Sequence, residues 1–388
     1  MQDELIYLDH NATTPVDSRV REEMLPYLKE EYGNPSSLYR LARGASQAVN
    51  RAREQVAGVL ACKPEEVIFT GGGTEADNMA IKGVGFARRS EGQHIITSEI
   101  EHHAVLKGCE WMEEQGFDVT YLGVDENGRV LPEDVEAALR DETILVSIMH
   151  ANNEVGTLQP LAEIGELLDG RDVYFHTDAV QTFGKRSYSV DDLGVDLLSL
   201  SAHKIYGPKG VGALYLRRGT KIEPLLHGGG HENNRRAGTE NVAGIVGLGK
   251  AAQLSEQYIA EEADRLKKLR DRLQEGILES IDEVTVNGDP DHRMEHTLSV
   301  CVRYIEGESM LLHLDSKGVA ASSGSACTSG TLDPSHVLLG MDIPAEVAHG
   351  SLRLSLGRSN TREQIDYVVE VLPEIVQQLR DMSPLYKK

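Results

Sequence analysis

Lys204 stands just past an apolar run. Val195 to Leu200 reads as a buried strand, and Ser201-Ala202-His203-Lys204 leads out of it into a loop with Tyr206-Gly207-Pro208-Lys209-Gly210. Open α/β sheets bind ligands beyond the carboxyl ends of their strands. A lysine desolvated there carries a neutral, nucleophilic amine, able to form a Schiff base with an aldehyde cofactor. Asp178 closes a second such run in Phe175-His176-Thr177-Asp178-Ala179-Val180-Gln181. A carboxylate against a pyridine nitrogen keeps that nitrogen protonated, and the ring can then accept electrons from a carbanion. Thr70-Gly71-Gly72-Gly73-Thr74-Glu75 joins a strand, a glycine turn and a helix start. Backbone N–H groups and the helix dipole make such a turn a cradle for phosphate. No Gly-Lys-Ser/Thr follows, so it is not a Walker A loop. Glu101-His102-His103-Ala104 sets an imidazole between a strand and a helix. From there it could stack on a flat ring and move protons near neutral pH.

The chain has four cysteines, Cys62, Cys109, Cys301 and Cys327, with no CxxC pair. Zinc-ribbon and thioredoxin-type motifs are therefore excluded. Cys327 lies in Ala321-Ser322-Ser323-Gly324-Ser325-Ala326-Cys327-Thr328-Ser329-Gly330, a stretch with nothing to anchor a core. That stretch is expected to be exposed and mobile, which makes Cys327 the candidate reactive thiol. Cys301 sits among apolar neighbours, and Cys62 and Cys109 lie in helical contexts, so these three read as packing residues. Each feature alone has a plainer reading: a surface lysine, a helix cap, an empty turn, an exposed histidine pair.

The elements that must position these residues alternate. Residues 66–70, 94–97, 117–122, 144–149, 173–176, 196–200 and 211–216 read as strands, several of them continuous apolar runs suited to burial on both faces. Helical patterns between most of them predict a largely parallel, doubly wound sheet. A long helix is predicted from Thr239 to about Ile281, then a smaller α/β region with a strand at 298–302. A last helix over about 362–380 is interrupted by Pro373, with Thr361 and Gln364 as a capping box. The 388 residues are 40% hydrophobic and 26% charged, an ordinary globular composition with a formal net charge of -23. So acidic a chain is not a general nucleic-acid binder, because phosphate attraction needs excess Lys and Arg. No apolar run is long enough to span a membrane, and Met1-Gln2-Asp3-Glu4 lacks the features of a signal peptide. A reducing, cytoplasmic setting is the natural expectation, and no metal site is expected.

Taken together, these residues resemble the NifS/IscS-type cysteine desulfurases, a branch of the fold-type I enzymes that use pyridoxal 5'-phosphate (PLP). The resemblance runs from Tyr7-Leu8-Asp9-His10-Asn11-Ala12-Thr13-Thr14-Pro15 to Ser351-Leu352-Arg353-Leu354-Ser355-Leu356-Gly357-Arg358, and is most specific at Ser201-Ala202-His203-Lys204 and Ser322-Ser323-Gly324-Ser325-Ala326-Cys327. It implies an α/β fold with a mainly parallel seven-stranded sheet in a large domain, residues 15–255. A small α/β domain, residues 1–14 and 256–388, would carry the cysteine loop. It also implies site roles. Lys204 would hold PLP covalently, Asp178 would face the pyridine nitrogen, and Gln181 would bond the ring oxygen. Gly73, Thr74, Ser201 and His203 would bind the phosphate, with Thr239 reaching the phosphate of a neighbouring subunit in a homodimer. His102 would stack on the ring, and Asn153 and Arg353 would grip the substrate carboxylate. L-Cysteine would become L-alanine, leaving its sulfur on Cys327 as a persulfide for an iron–sulfur scaffold or another acceptor. An aminotransferase, a related amino-acid lyase and an idle homologue acting as a binding platform are the alternatives.

Overall fold

The computed structural model describes residues 5–324, 334–384 and 386. The chain opens with a two-residue strand, β1 (Ile6–Tyr7), and helices α1 (Ser18–Lys29) and α2 (Arg40–Leu60). Seven strands follow: β2 (Val67–Thr70), β3 (His94–Ser98), β4 (Asp118–Leu122), β5 (Thr143–Ser147), β6 (Tyr174–Asp178), β7 (Leu197–Ser201) and β8 (Gly212–Leu216). Between them lie α3 (Gly73–Ala87), α4 (His103–Glu114), α5 (Pro132–Ala138) and α6 (Leu161–Leu168). After the 39-residue α7 (Val242–Ser280) come β9 (Val284–Asn287), β10 (Thr297–Val302), α8 (Gly307–Ser316), β11 (Val319–Ala320), α9 (His336–Gly340), α10 (Ala345–Ala348), β12 (Ser351–Ser355) and α11 (Arg362–Met382).

All seven strands expected from the sequence form one sheet, in the order β2-β8-β7-β6-β5-β3-β4. Every pairing is parallel except the two made by β8, which runs against both β2 and β7. The reason is chain length. A parallel return needs a crossover of a dozen or more residues, and only residues 202–211 separate β7 from β8. The segment carrying Lys204 must therefore fold back as a tight connection at the carboxyl end of β7.

Side chains alternate across the sheet. Phe69, Phe175, Leu198 and Leu200 join one apolar cluster with α2, α6 and the first half of α7; Ile68, Leu197 and Leu214 join another with α3 and α4. This two-sided burial explains the continuous apolar runs. A separate cluster of Leu8, Leu273, Ile277, Leu298, Val300, Leu354, Ile365 and Leu372 packs the second half of α7 and α11 on the antiparallel sheet β12-β10-β9. The α11 capping box forms as expected: Thr361 and Gln364 each bond the other's backbone N–H. Pro373 does not interrupt α11, which continues to Met382. The ring removes one backbone donor, and the buried face on either side, Leu372 and Ile375, holds the helix in register.

Candidate active site

Lys204 ends a short 3-10 turn, Ala202–Lys204, directly after β7. Its Nζ donates to the carbonyl of Ala12 at 2.8 Å and to the carbonyl of Asn11. Asp178 is the last residue of β6, and its Oδ1 accepts the Val180 N–H at 2.9 Å, so it does cap the following turn. Burial pushes its carboxyl up to about 6, opposed by the Val180 N–H and by Lys204. Its carboxylate form would suit a protonated ring nitrogen. Gln181 donates through Nε2 to the Asn11 carbonyl at 3.1 Å. Its Oε1 is buried without a hydrogen-bond partner among the described residues.

The glycine turn joins the end of β2 to the start of α3. Gly72 has φ 153°, and α3 begins at Gly73. A Cβ on Gly73 would meet Val180 Cγ2 at 2.8 Å, so the helix start and the turn after Asp178 approach this closely only with glycine. A cavity of about 720 Å³ opens here, lined by Gly73, Thr74, Ser201, His203, Lys209 and Thr13 among others. Backbone N–H groups, a hydroxyl and a lysine around one hollow fit a phosphate. His203 meets Thr13 Oγ1 through Nδ1 at 3.1 Å. Thr239 is exposed and does not line this cavity.

His102 caps α4: its Nδ1 accepts the Ala104 N–H at 3.1 Å, which leaves the proton of the neutral ring on Nε2. Burial, and next the charge of Lys204, lower it to about 4. His10 and His203 are likewise lowered to about 4, His150 and His176 to about 3, and His296 falls well below 6.5, in every case chiefly by burial. In the unfolded chain these rings would titrate near 6.5. Below that pH the unfolded state binds protons that the folded state refuses, so stability falls as pH falls. Six acids act in the opposite sense, since Asp77, Glu99, Glu101, Asp178, Asp196 and Glu262 are all raised. With His94 and His103, also lowered by burial, eight imidazoles outnumber them. Thermal melts should therefore show a midpoint that drops from pH 6.5 to pH 4; a midpoint rising over that range would contradict neutral rings.

At the other end of the site, Arg353 of β12 is 4% exposed. It donates to the Asn153 carbonyl at 3.0 Å and to Asp9 Oδ1 at 2.8 Å, while its Nε finds no partner among the described residues. Asn153 and Arg353, expected as a pair, are thus adjacent. Cys327 lies outside the described residues. The other three cysteines are held as thiols by burial: Cys62 is pushed up to about 12, Cys301 to about 11 and Cys109 higher still.

One residue that joins these parts was missed by sequence reasoning. The Asn11 carbonyl receives both Lys204 and Gln181, and its Nδ2 donates to the Asn153 carbonyl at 3.1 Å. Its Oδ1 accepts from His296 Nε2 at 2.9 Å. Its signal was its place in the run from Tyr7 to Pro15 that carries the resemblance.

Residues 6–368 match the aminotransferase class-V family. The chain is 56% identical over 387 residues to "Cysteine desulfurase IscS" of Methanosarcina thermophila, covering 100% of this chain and 96% of that protein. It is 53% identical over 383 residues to "Cysteine desulfurase IscS" of Dictyoglomus turgidum, covering 99% and 97%. Among solved structures, a NifS-like protein superposes with a TM-score of 0.91 at 39% identity, over 97% of this chain and 100% of that one. SspA in complex with cysteine superposes with a TM-score of 0.82 at 39% identity, over 90% and 98%. Family, fold and the convergence of Lys204, Asp178 and the glycine turn agree: the chain belongs to the aminotransferase class-V family of PLP-dependent enzymes, in its cysteine desulfurase branch.

Proposed function

We propose that this protein takes sulfur from L-cysteine, releases L-alanine and holds the sulfur as a persulfide on Cys327. The observation that carries the proposal is convergence. Thr70, Asp178 and Ser201 end β2, β6 and β7, and a single residue, Asn11, bonds Lys204 and Gln181 on one side and Asn153 on the other. Cofactor groups and substrate groups thereby share one hub.

The division of labour follows from the side chains. Bound PLP supplies an electron sink for negative charge at the substrate Cα. Lys204 holds the cofactor, then takes the Cα proton on Nζ. Asp178 would keep the ring nitrogen protonated, and Gln181 would bond the ring oxygen. Gly73, Thr74, Ser201 and His203 hold the phosphate, and Lys209, which lines the same cavity, adds positive charge there. His102, a neutral imidazole with its proton on Nε2, would face the cofactor ring and could offer that proton. Arg353 and Asn153 grip the substrate carboxylate. The Cys327 thiolate attacks the substrate sulfur; an S–S bond forms as the Cβ–S bond breaks, and the bonding pair stays with the departing three-carbon unit. Thr239 serves the phosphate of a second subunit in a homodimer; its exposure, away from its own cavity, supports that reading. The division into residues 15–255 and residues 1–14 with 256–388 is part of the same proposal, supported by the separate apolar cluster that joins Leu8 to Leu273 and Leu372. The sulfur acceptor is an iron–sulfur scaffold or another carrier, and the setting is the cytoplasm. No helix among the described residues is long and apolar enough to cross a membrane.

Alanine release from L-cysteine, with a thiol reductant present, tests the reaction. Keto-acid formation in its place would make the enzyme an aminotransferase. Arg353→Lys should raise KM for L-cysteine by about tenfold or more with a smaller loss in kcat, because an ammonium cannot reproduce a planar, two-point grip. Steady-state kinetics decide it: an unchanged KM would remove Arg353 from the substrate site.

A further inference from the structure

The segment from His231 to Thr239 holds a strained turn. Glu232, Asn233 and Asn234 have φ of 46°, 56° and 63°, three consecutive non-glycine residues in the left-handed region. Side chains adopt that region singly and at a cost, rarely in a run. Something must hold the turn wound, and the candidates are two ion pairs at its ends.

The first is Glu232, whose side chain is only 4% exposed. Each carboxylate oxygen accepts from Arg53 at 2.7 Å, a two-point pairing, and Oε2 also accepts the Phe69 N–H at 2.9 Å. Phe69 belongs to β2, an edge strand bonded only to β8. Its outward N–H would otherwise be an open ladder position. Arg53 is itself fixed by the Val67 carbonyl and by the face of the Phe69 ring, 4.7 Å from its guanidinium. The second is Arg236, which donates through Nε to Glu75 Oε1 at 2.7 Å and through a terminal nitrogen to Oε2 at 3.2 Å. Glu75 Oε2 in turn accepts the Gly71 N–H at 2.8 Å. One pair therefore grips the strand before the glycine turn, and the other grips the helix after it. Residues 232–236 straddle the β2–α3 connection as a strap.

We infer that Glu232 is a positioning residue for the phosphate cradle: its carboxylate, clamped by Arg53 and the Phe69 N–H, keeps the left-handed strap wound so that Arg236 and Glu75 hold the Gly71–Thr74 turn in shape. The inference rests on the reading of that turn as the phosphate site. It assigns a role to a residue that touches neither substrate nor cofactor. Glu232 and Arg236 are each ion-paired, to Arg53 and Glu75, so their contribution is geometry, not attraction for phosphate.

The test separates phosphate grip from general loosening. Holoenzyme is prepared with PLP or with pyridoxal, which lacks the phosphate. The rate of cofactor loss on dilution is read from the decay of the visible absorbance. Wild type should lose pyridoxal much faster than PLP. Glu232→Ala should speed PLP loss by about tenfold, the equivalent of about 1.4 kcal/mol, and leave pyridoxal loss within about twofold. Glu232→Gln, which keeps an acceptor for Phe69 but loses the charge, should fall between. If Glu232→Ala folds poorly, adding Asn233→Gly and Asn234→Gly should restore folding and slow PLP loss again, because glycine takes the left-handed conformation without strain. Equal PLP and pyridoxal loss from wild type would overturn the cradle reading and this inference with it. A wild type that discriminates and a Glu232→Ala variant that discriminates equally well would overturn the strap alone. Equal acceleration of both cofactors would reduce Glu232 to a general structural residue and also overturn it.

Discussion

Lys204→Ala should abolish the visible absorbance of the bound cofactor and lower alanine release by at least about a thousandfold, the scale expected when a covalent anchor and a general base are removed together. Lys204 Nζ is aimed into the site by the Ala12 carbonyl at 2.8 Å and by the Asn11 carbonyl, at the mouth of the connection between β7 and β8. Lys185, a half-buried lysine close enough to feel its charge, is directed at His296 Nε2, 3.3 Å away. The glycine turn, Ser201 and Asp178 remain in the variant, so PLP should still bind, but as a free aldehyde that dialysis removes. Spectra before and after dialysis check this. An unchanged visible band in Lys204→Ala would sink the assignment of the lysine.

Cys327→Ser should reduce alanine release from L-cysteine by about a hundredfold or more while leaving the cofactor spectrum intact. A serine hydroxyl cannot accept sulfur as a persulfide, since it forms no S–S bond. The described cysteines offer no replacement. Cys109 and Cys301 are buried, Cys62 is half-buried, and burial raises all three well above the ordinary thiol value of 9.0, so at neutral pH they are thiols and not thiolates. Alanine assayed with wild type and variant side by side, with a thiol reductant present, decides the matter. Equal release from both would mean that Cys327 is not the sulfur acceptor.

Much of the sheet was legible because each strand announces itself locally. Largely apolar runs such as Leu197–Leu200 report burial on both faces, and the polar residues that end the strands, Ser201 and Asp178, report where the sheet stops. The glycine turn was legible for the same reason: the close approach of Gly73 to Val180 demands glycine in the sequence itself. The direction of β8 was not read in advance, although the short connection after β7 dictates it. Pro373 was read as a break in α11, because propensity is visible in the sequence and the packing that overrides it is not.

Sequence alone determined the chemical inventory of this protein: an amine, a carboxylate, an imidazole, a glycine turn and a thiol among small residues, each recognisable from its few neighbours. Only the tertiary structure decided how they are joined. The Asn11 carbonyl meets Lys204 across 193 residues, Arg353 meets Asp9 across 344, and Glu232 clamps the edge of β2 across 163. Local periodicity reports which face of an element is buried, never which distant element buries it. The partner of a polar side chain is set by the path of the whole chain, and so the hub at Asn11 and the strap at Glu232 became visible only once the chain was folded.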